Sequence, residues 1–220
     1  MENNGILKII AECEEEKDLG VVFDGSLNFD SHIQKAINKA NQMVGLIKRS
    51  FAFLDKDTLI QLYKSLVRPH LEYGNLIWHP YLKRQSVAVE KVQRRVTKLL
   101  YECEHMTYSQ RLTYLRLPSL KGRRYRGDLI EMFKIFHNVD DVNFDRLFSL
   151  SKSEITRNRE GKLYLQHCNT NKRKNSFANR VIHPWNALPK SLKFAKDTNT
   201  FKNLLDSNKK LQSYFYDFDE

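Results

Sequence analysis

Residues 62–74 read LYKSLVRPHLEYG and residues 89–98 read VEKVQRRVTK, and these two segments decide the fold. In the second, Val89, Val92 and Val96 recur at steps of three and four residues, which is the spacing of the buried face of an α-helix. Four cations fall on the opposite side of that helix: Lys91, Arg94, Arg95 and Lys98. The segment therefore predicts an amphipathic helix with an apolar seam and a cationic ridge.

Helical spacing extends to both sides of this segment. It predicts helices over about residues 30–49 and 55–68, with Pro69 ending or kinking the second. Thr107 and Gln110 have the spacing of a capping box, so a short helix should follow and stop before Pro118. Three further helices are expected, from after Pro80 to about residue 100, over about 119–137, and near 199–205. The chain is thus predicted to be mainly α.

The two ends of the chain depart from this helical pattern. Residues 6–10 and 19–23 are short and β-branched, which predicts a hairpin joined through the acidic residues 12–18. In the C-terminal half, residues 163–167 predict a strand and residues 171–174 a basic loop. Residues 209–220 alternate charges and aromatics without a seam and predict a frayed tail.

Composition indicates a globular protein. The chain has 220 residues, of which 41% are hydrophobic and 29% charged, so it can bury a core. Its apolar runs are far shorter than the roughly 20 residues of a membrane helix, and no membrane partner is expected. Three cysteines, far apart and odd in number, argue against a disulfide scaffold. We expect an intracellular protein, in the nucleus or cytoplasm.

Positive charge is concentrated in the middle of the chain. The net charge is +11, and residues 31–126 carry 19 basic and 6 acidic side chains. Such a positive field favours binding of RNA or DNA. An acidic protein or a membrane surface would be attracted by the same field. A charged helix face can also simply be solvated, without any partner. The candidate nucleic-acid-binding residues are Lys64, Arg68, Lys91, Arg94, Arg95, Lys98, Arg123, Arg124, Arg126, Arg173 and Lys174.

The sequence contains few candidate catalytic motifs. The sequence has no HExxH motif, no GxxxxGK loop and no nucleophile elbow, so no catalytic residue, metal site, cofactor or small-molecule substrate is expected. Asp140 and Asp141 superficially resemble the paired aspartates of polymerases. An asparagine stands first, at Asn138, and the pair follows a helix, so a helix-ending turn is the better interpretation.

Several motifs in the same order resemble the C-terminal part of reverse transcriptases from non-LTR (LINE-type, jockey-like) retrotransposons. The resemblance covers about residues 4–207. Its segments are Glu16–Val21, Leu27–Phe29, Lys39–Asn41, Gly45–Arg49, residues 62–74 and 90–98, Tyr108–Pro118, Arg123–Ile130 and Trp185–Pro189.

The resemblance implies a domain plan. Residues 1–30 would be a β-hairpin remnant of the palm, 31–105 a thumb-like helical bundle, 106–208 a mixed, mostly helical post-polymerase region, and 209–220 the tail. In that family the thumb holds the template–primer duplex, and the cations on residues 90–98 and 123–126 match its basic segments. The implied partner is RNA or an RNA–DNA or DNA duplex.

The family's catalytic aspartate strand, which binds Mg for catalysis, has no counterpart in the sequence. We therefore expect a fragment that grips a duplex without polymerase activity of its own, from a truncated element or an incomplete gene model. Two alternatives stay open: a helical protein-interaction module or inert relic, and part of a full reverse transcriptase whose N-terminal portion is missing.

Overall fold

A β-hairpin opens the computed structural model of the chain, which describes residues 13–151 and 161–208. Strand β1 spans Glu15–Asp18 and pairs antiparallel with β2, Val21–Asp24. Leu19 and Gly20 form the turn with φ of 43° and 85°, as a tight hairpin turn of the primed type requires. A short N-terminal hairpin is present, as predicted, but its first strand is formed by Glu15–Asp18, which were expected to lie in the connection. The predicted strand 6–10 lies outside the described residues.

Helix α1 spans Asp30–Ser50 and follows the hairpin directly. Its start is organised by Asp24, whose carboxylate accepts hydrogen bonds from the backbone N–H groups of Asn28 and Phe29. His32 ties the helix to the sheet, because its Nδ1 accepts from the N–H of Val22 at 3.2 Å. The helix buries an apolar seam at steps of three and four residues: Ile33, Ile37, Ala40, Val44 and Ile47.

The second helical segment does not end at Pro69. Helix α2, Lys56–Leu62, passes through a π-helical turn, Tyr63–Val67, into α3, Arg68–Glu72. At the π turn the Arg68 N–H bonds the carbonyl of Tyr63, five residues back. We attribute the continuation to this wider turn, which accommodates a proline that has no N–H of its own. A short helix not predicted from the sequence, α4, follows at Asn75–Trp78.

Helix α5, Lys83–Thr97, runs parallel to α1. Two contacts fix the register: Arg84 Nη2 donates to Asp30 Oδ2 at 2.6 Å, and Arg95 Nη1 donates to Asn41 Oδ1 at 2.8 Å. Both pairs are 54 residues apart. In this parallel register α5, which ends at Thr97, stops about two turns before α1, which continues to Ser50.

Helices α6, Tyr108–Leu115, and α7, Leu120–Phe136, complete the central bundle. The predicted capping box at α6 is confirmed, since Thr107 Oγ1 accepts from the Gln110 N–H and the Gln110 side chain accepts from the Thr107 N–H. Ser119 caps α7 by accepting from the Gly122 N–H at 3.0 Å.

The C-terminal region is made of short helices. They are α8 Phe144–Leu147, α9 Asn171–Asn175, α10 Phe177–Arg180, α11 Ile182–Ala187, α12 Lys190–Lys193 and α13 Thr198–Ser207. The predicted strand 163–167 is wrong: Leu163 forms a single bridge to Leu150, and the Asn186 side chain bonds both backbone groups of Leu163. The predicted loop 171–174 is helical, capped by Thr170. The predicted tail lies outside the described residues.

Two apolar cores divide the molecule. The first runs from Val21 to Leu120 and contains the fully buried Trp78, and the second runs from Leu129 to Leu205 and contains the fully buried Trp185. Helix α7 contributes to both cores, so the first core extends beyond the domain limit expected at residue 105. The structure is mainly helical with a short N-terminal hairpin, as predicted.

Candidate nucleic-acid interface

The amphipathic division of α5 is confirmed. Val89, Val92 and Val96 are at most 2% exposed, whereas Lys91, Arg95 and Lys98 face outward. Lys91 and Lys98 have no hydrogen-bond or ion-pair partner among residues 13–151 and 161–208. Their ammonium groups are therefore available to an external anion.

Arg94 differs from the other three cations of the ridge. Its guanidinium lies over the ring of Tyr108, 4.7 Å from the centroid, and its side chain is half-buried. Tyr108 in turn donates its hydroxyl proton to Glu90. Burial and the Glu90 carboxylate hold the pKa of Tyr108 well above its usual range, so the hydroxyl stays a donor. Arg94 thus belongs partly to the protein interior.

Helix α1 adds to the same surface. Asn41 contacts Arg95 from α1, and the exposed Lys48 lies two turns further along that side of the helix. We call the surface formed by Lys48, Lys91, Arg95 and Lys98 the α1–α5 face. Sequence reasoning missed Lys48, because only the packing of α1 against α5 shows that residues about 50 apart share a surface.

Lys64 and Arg68 have different surroundings. Lys64 lies exposed on the π turn with no partner among the described residues. Arg68 is half-buried, and its Nε lies 3.5 Å from Glu72 Oε2. Only Lys64 of this pair presents an unengaged charge.

Three candidate residues on α7, Arg123, Arg124 and Arg126, are each either buried or paired with a carboxylate. Arg123 pairs with Glu72, with Nη2 3.0 Å from Oε2. Arg126 makes a bidentate contact with Asp206 at 2.6 and 2.7 Å. Arg124 is 2% exposed. The three arginines therefore do not form the open basic patch that their spacing suggested.

Arg173 and Lys174 lie on α9. Arg173 donates from Nη2 to Gln166 Oε1 at 3.0 Å, whereas Lys174 is exposed and has no partner in the described part of the chain. Helix α9 packs on α10 in the C-terminal region. We place these two cations outside the α1–α5 face.

An ionic cluster joins the two halves of the molecule. Asp128 on α7 accepts two hydrogen bonds from Arg180 on α10, each at 2.8 Å, and Arg180 Nη2 also donates to the carbonyl of Leu76 at 2.9 Å. His79 Nδ1 lies 3.8 Å from Asp128 Oδ2. Burial, then the nearby Arg180 and Arg124 guanidinium groups, lower the pKa of His79 to about 2. His79 is therefore neutral in the folded protein at physiological pH.

This neutral histidine should make the fold acid-sensitive. An unfolded histidine takes up a proton below about pH 6.5, whereas folded His79 does not. The contribution of His79 to the free energy of unfolding is therefore fully present above about pH 6.5 and is lost as the pH falls below that value. We expect the contribution of His79 to fall by about 2 kcal/mol between pH 7 and pH 5, and His79→Gln to remove that part of the loss in urea unfolding. The variant of the exposed His105, His105→Gln, should retain it; equal pH dependence in both variants would contradict the assignment.

Two classes of site are absent from the described residues. In residues 13–151 and 161–208 no three His, Cys, Asp or Glu side chains are grouped so that they could hold a metal ion. No helix in the same residues is long and apolar enough to cross a bilayer.

The chain is similar to a known protein but matches no protein-family model. An uncharacterized protein of Caenorhabditis elegans is 26% identical over 125 residues, which is 56% of this chain. The match spans 61% of the length of that relative. No protein-family model matches the chain, and no solved structure matches it.

Proposed function

We propose that this chain binds nucleic acid through the α1–α5 face, with RNA or an RNA–DNA or DNA duplex as the partner. The observation that carries the proposal is the exposed side of α5, where Lys91, Arg95 and Lys98 follow one another and two of them have no partner among the described residues. Like charges at helix spacing repel, and phosphates relieve that repulsion.

The spacing suits a phosphate backbone. Seven residues separate Lys91 from Lys98, a rise of about 10 Å along a helix. Successive phosphates on one strand of a duplex rise about 3.4 Å each. Lys91 and Arg95 on α5, with Lys98 directly after it, therefore span about three phosphates of a single strand, and Lys48 on α1 widens the contact.

The proposed biological setting is the thumb and following region of a non-LTR retrotransposon reverse transcriptase, acting in duplex binding without polymerase activity of its own. A hairpin followed by a helical bundle supports this setting, because it is the order in which that resemblance places the palm end and the thumb. This setting is a more specific proposal than nucleic-acid binding, and it could be disproved while nucleic-acid binding still holds.

Fluorescence anisotropy with labelled duplexes tests the binding proposal. We expect the purified chain to bind an RNA–DNA primer–template at 0.1 M salt, and the affinity to decrease steeply as salt is raised. An acidic polypeptide of matched length serves as the competitor. If the peptide displaces the duplex at equal charge concentration, or if no duplex is bound, the nucleic-acid proposal is wrong.

A further inference from the structure

A second cationic feature lies apart from the α1–α5 face. A pocket of about 350 Å³ opens between the loop at residues 79–82, α5, and the starts of α6 and α7. Four basic side chains line it, together with a single carboxylate, that of Glu90: they are Lys83, Arg94, Lys121 and Arg124. The pocket is thus strongly positive.

Arg124 is the unusual residue in this pocket. Its side chain is 2% exposed, and only Nη2 is satisfied, by donating to Ser86 Oγ at 3.1 Å. The Nε and Nη1 atoms are buried and have no hydrogen-bond acceptor in the described part of the chain. A buried guanidinium with unused donors is unfavourable unless an acceptor completes it.

The carboxylates near Arg124 are all engaged elsewhere. Glu90 accepts from Tyr108 and from the N–H of Leu120, at 3.1 and 3.2 Å from its two oxygens. Glu72 is held by Arg123, and Asp128 by Arg180. Arg124 therefore lacks a counter-ion of its own among the described residues, in contrast to Arg123 and Arg126 on the same helix.

We propose that this pocket binds a terminal phosphate group, with Arg124 as the buried anchor and Lys83 at the rim. Guanidinium donors match phosphate oxygens in geometry and charge, and several cations around one pocket favour a dianion over a carboxylate. The volume lies at the lower end for small-molecule sites, enough for a phosphate with an attached nucleoside. A mononucleotide and the 5′ end of a strand share this chemistry.

Isothermal titration at pH 7.5 and constant ionic strength tests the site with inorganic phosphate, adenosine 5′-monophosphate, and a short RNA carrying either a 5′-phosphate or a 5′-hydroxyl. We expect saturable binding of phosphate and of the mononucleotide. If the phosphate that the pocket binds comes from strand ends, the RNA with a 5′-phosphate should bind at least tenfold more tightly than the RNA with a 5′-hydroxyl. Equal affinity of the two RNAs with tight mononucleotide binding would assign the site to free nucleotides.

Arg124→Met keeps the side-chain length and should reduce phosphate affinity at least tenfold, whereas Arg126→Met, on the same helix but outside the pocket, should not. Lys83→Gln changes an exposed residue and should weaken binding severalfold even if Arg124→Met fails to fold. No saturable binding beyond a chloride control, or unchanged affinity in Lys83→Gln and any folded Arg124→Met, would overturn the proposal. Lys91→Gln with Lys98→Gln should leave phosphate binding intact, which separates this site from the α1–α5 face.

Discussion

Replacing Lys91, Arg95 and Lys98 together with glutamate is expected to reduce affinity for an RNA–DNA duplex by about a thousandfold at 0.1 M salt. Each lysine or arginine contact to a phosphate releases about 0.9 counterion, which is worth roughly a factor of ten at that salt concentration. Three lost contacts therefore remove about three powers of ten, and the introduced carboxylates add repulsion.

The choice of these residues comes from the structure. Arg94 belongs to the same run of cations, but it is half-buried over Tyr108, so changing it would disturb packing as well as charge. Arg95 makes one surface hydrogen bond to Asn41, whose loss should cost stability only about 1 kcal/mol. Far-ultraviolet circular dichroism should show the variant folded.

A matched control separates the α1–α5 face from overall charge. Arg146, Lys196 and Lys202 lie in the C-terminal half and are exposed or half-exposed. Replacing these three with glutamate changes the net charge by the same amount. We expect at most about a tenfold loss of duplex affinity from this change, since dispersed charges act only through the screened long-range field. Equal losses in the two variants would remove any special role for the face.

Asp128→Ala is expected to lower the free energy of unfolding by about 3–5 kcal/mol, the usual result of removing one partner from a buried ion pair. The side chains of Asp128 and Arg180 are each 10% exposed, and Arg180 would remain buried without its carboxylate. Because Arg180 also bonds the carbonyl of Leu76, the change should loosen the junction between the two cores. Urea unfolding followed by tryptophan fluorescence measures the loss.

The chain provides its own control for this prediction. Arg126 and Asp206 make a bidentate contact of similar length, but their side chains are 29% and 50% exposed. Asp206→Ala should therefore lower the unfolding free energy by about 1 kcal/mol or less. Replacing both buried partners, Asp128→Leu with Arg180→Met, should recover most of the loss. Similar losses for Asp128→Ala and Asp206→Ala would show that burial does not decide the strength of these pairs.

Local patterns in the sequence predicted the elements whose causes are local. The valines of α5 and the box formed by Thr107 and Gln110 specify helices through contacts three and four residues apart, and both are present. The predicted strand 163–167 is wrong because a contact distant in sequence, and not the local pattern, decides the conformation of this segment. Leu163 is buried but Leu165 is 56% exposed, and Asn186, more than 20 residues later, supplies the hydrogen bonds that a strand partner would have made.

The candidate site was harder to predict because long-range contacts decide which cations remain available. The sequence places Arg123 and Arg126 in one basic run, yet their carboxylate partners are 51 and 80 residues away. The same limitation hid the 54-residue register that joins Lys48 to the α5 cations. A charge pattern along one helix shows where cations are, whereas only the tertiary fold shows which carboxylates neutralise them.

The salt dependence of duplex binding measures directly how many phosphates the α1–α5 face contacts. Affinities of the wild-type chain and of a variant with glutamine at positions 91, 95 and 98 would be measured by anisotropy at roughly 0.05 to 0.3 M salt, where each phosphate contact releases about 0.9 counterion. We expect the slope of log affinity against log salt to be shallower by about 2.7 in the variant, the value for three phosphate contacts. Parallel lines for the two proteins would mean that these cations do not contact the phosphates.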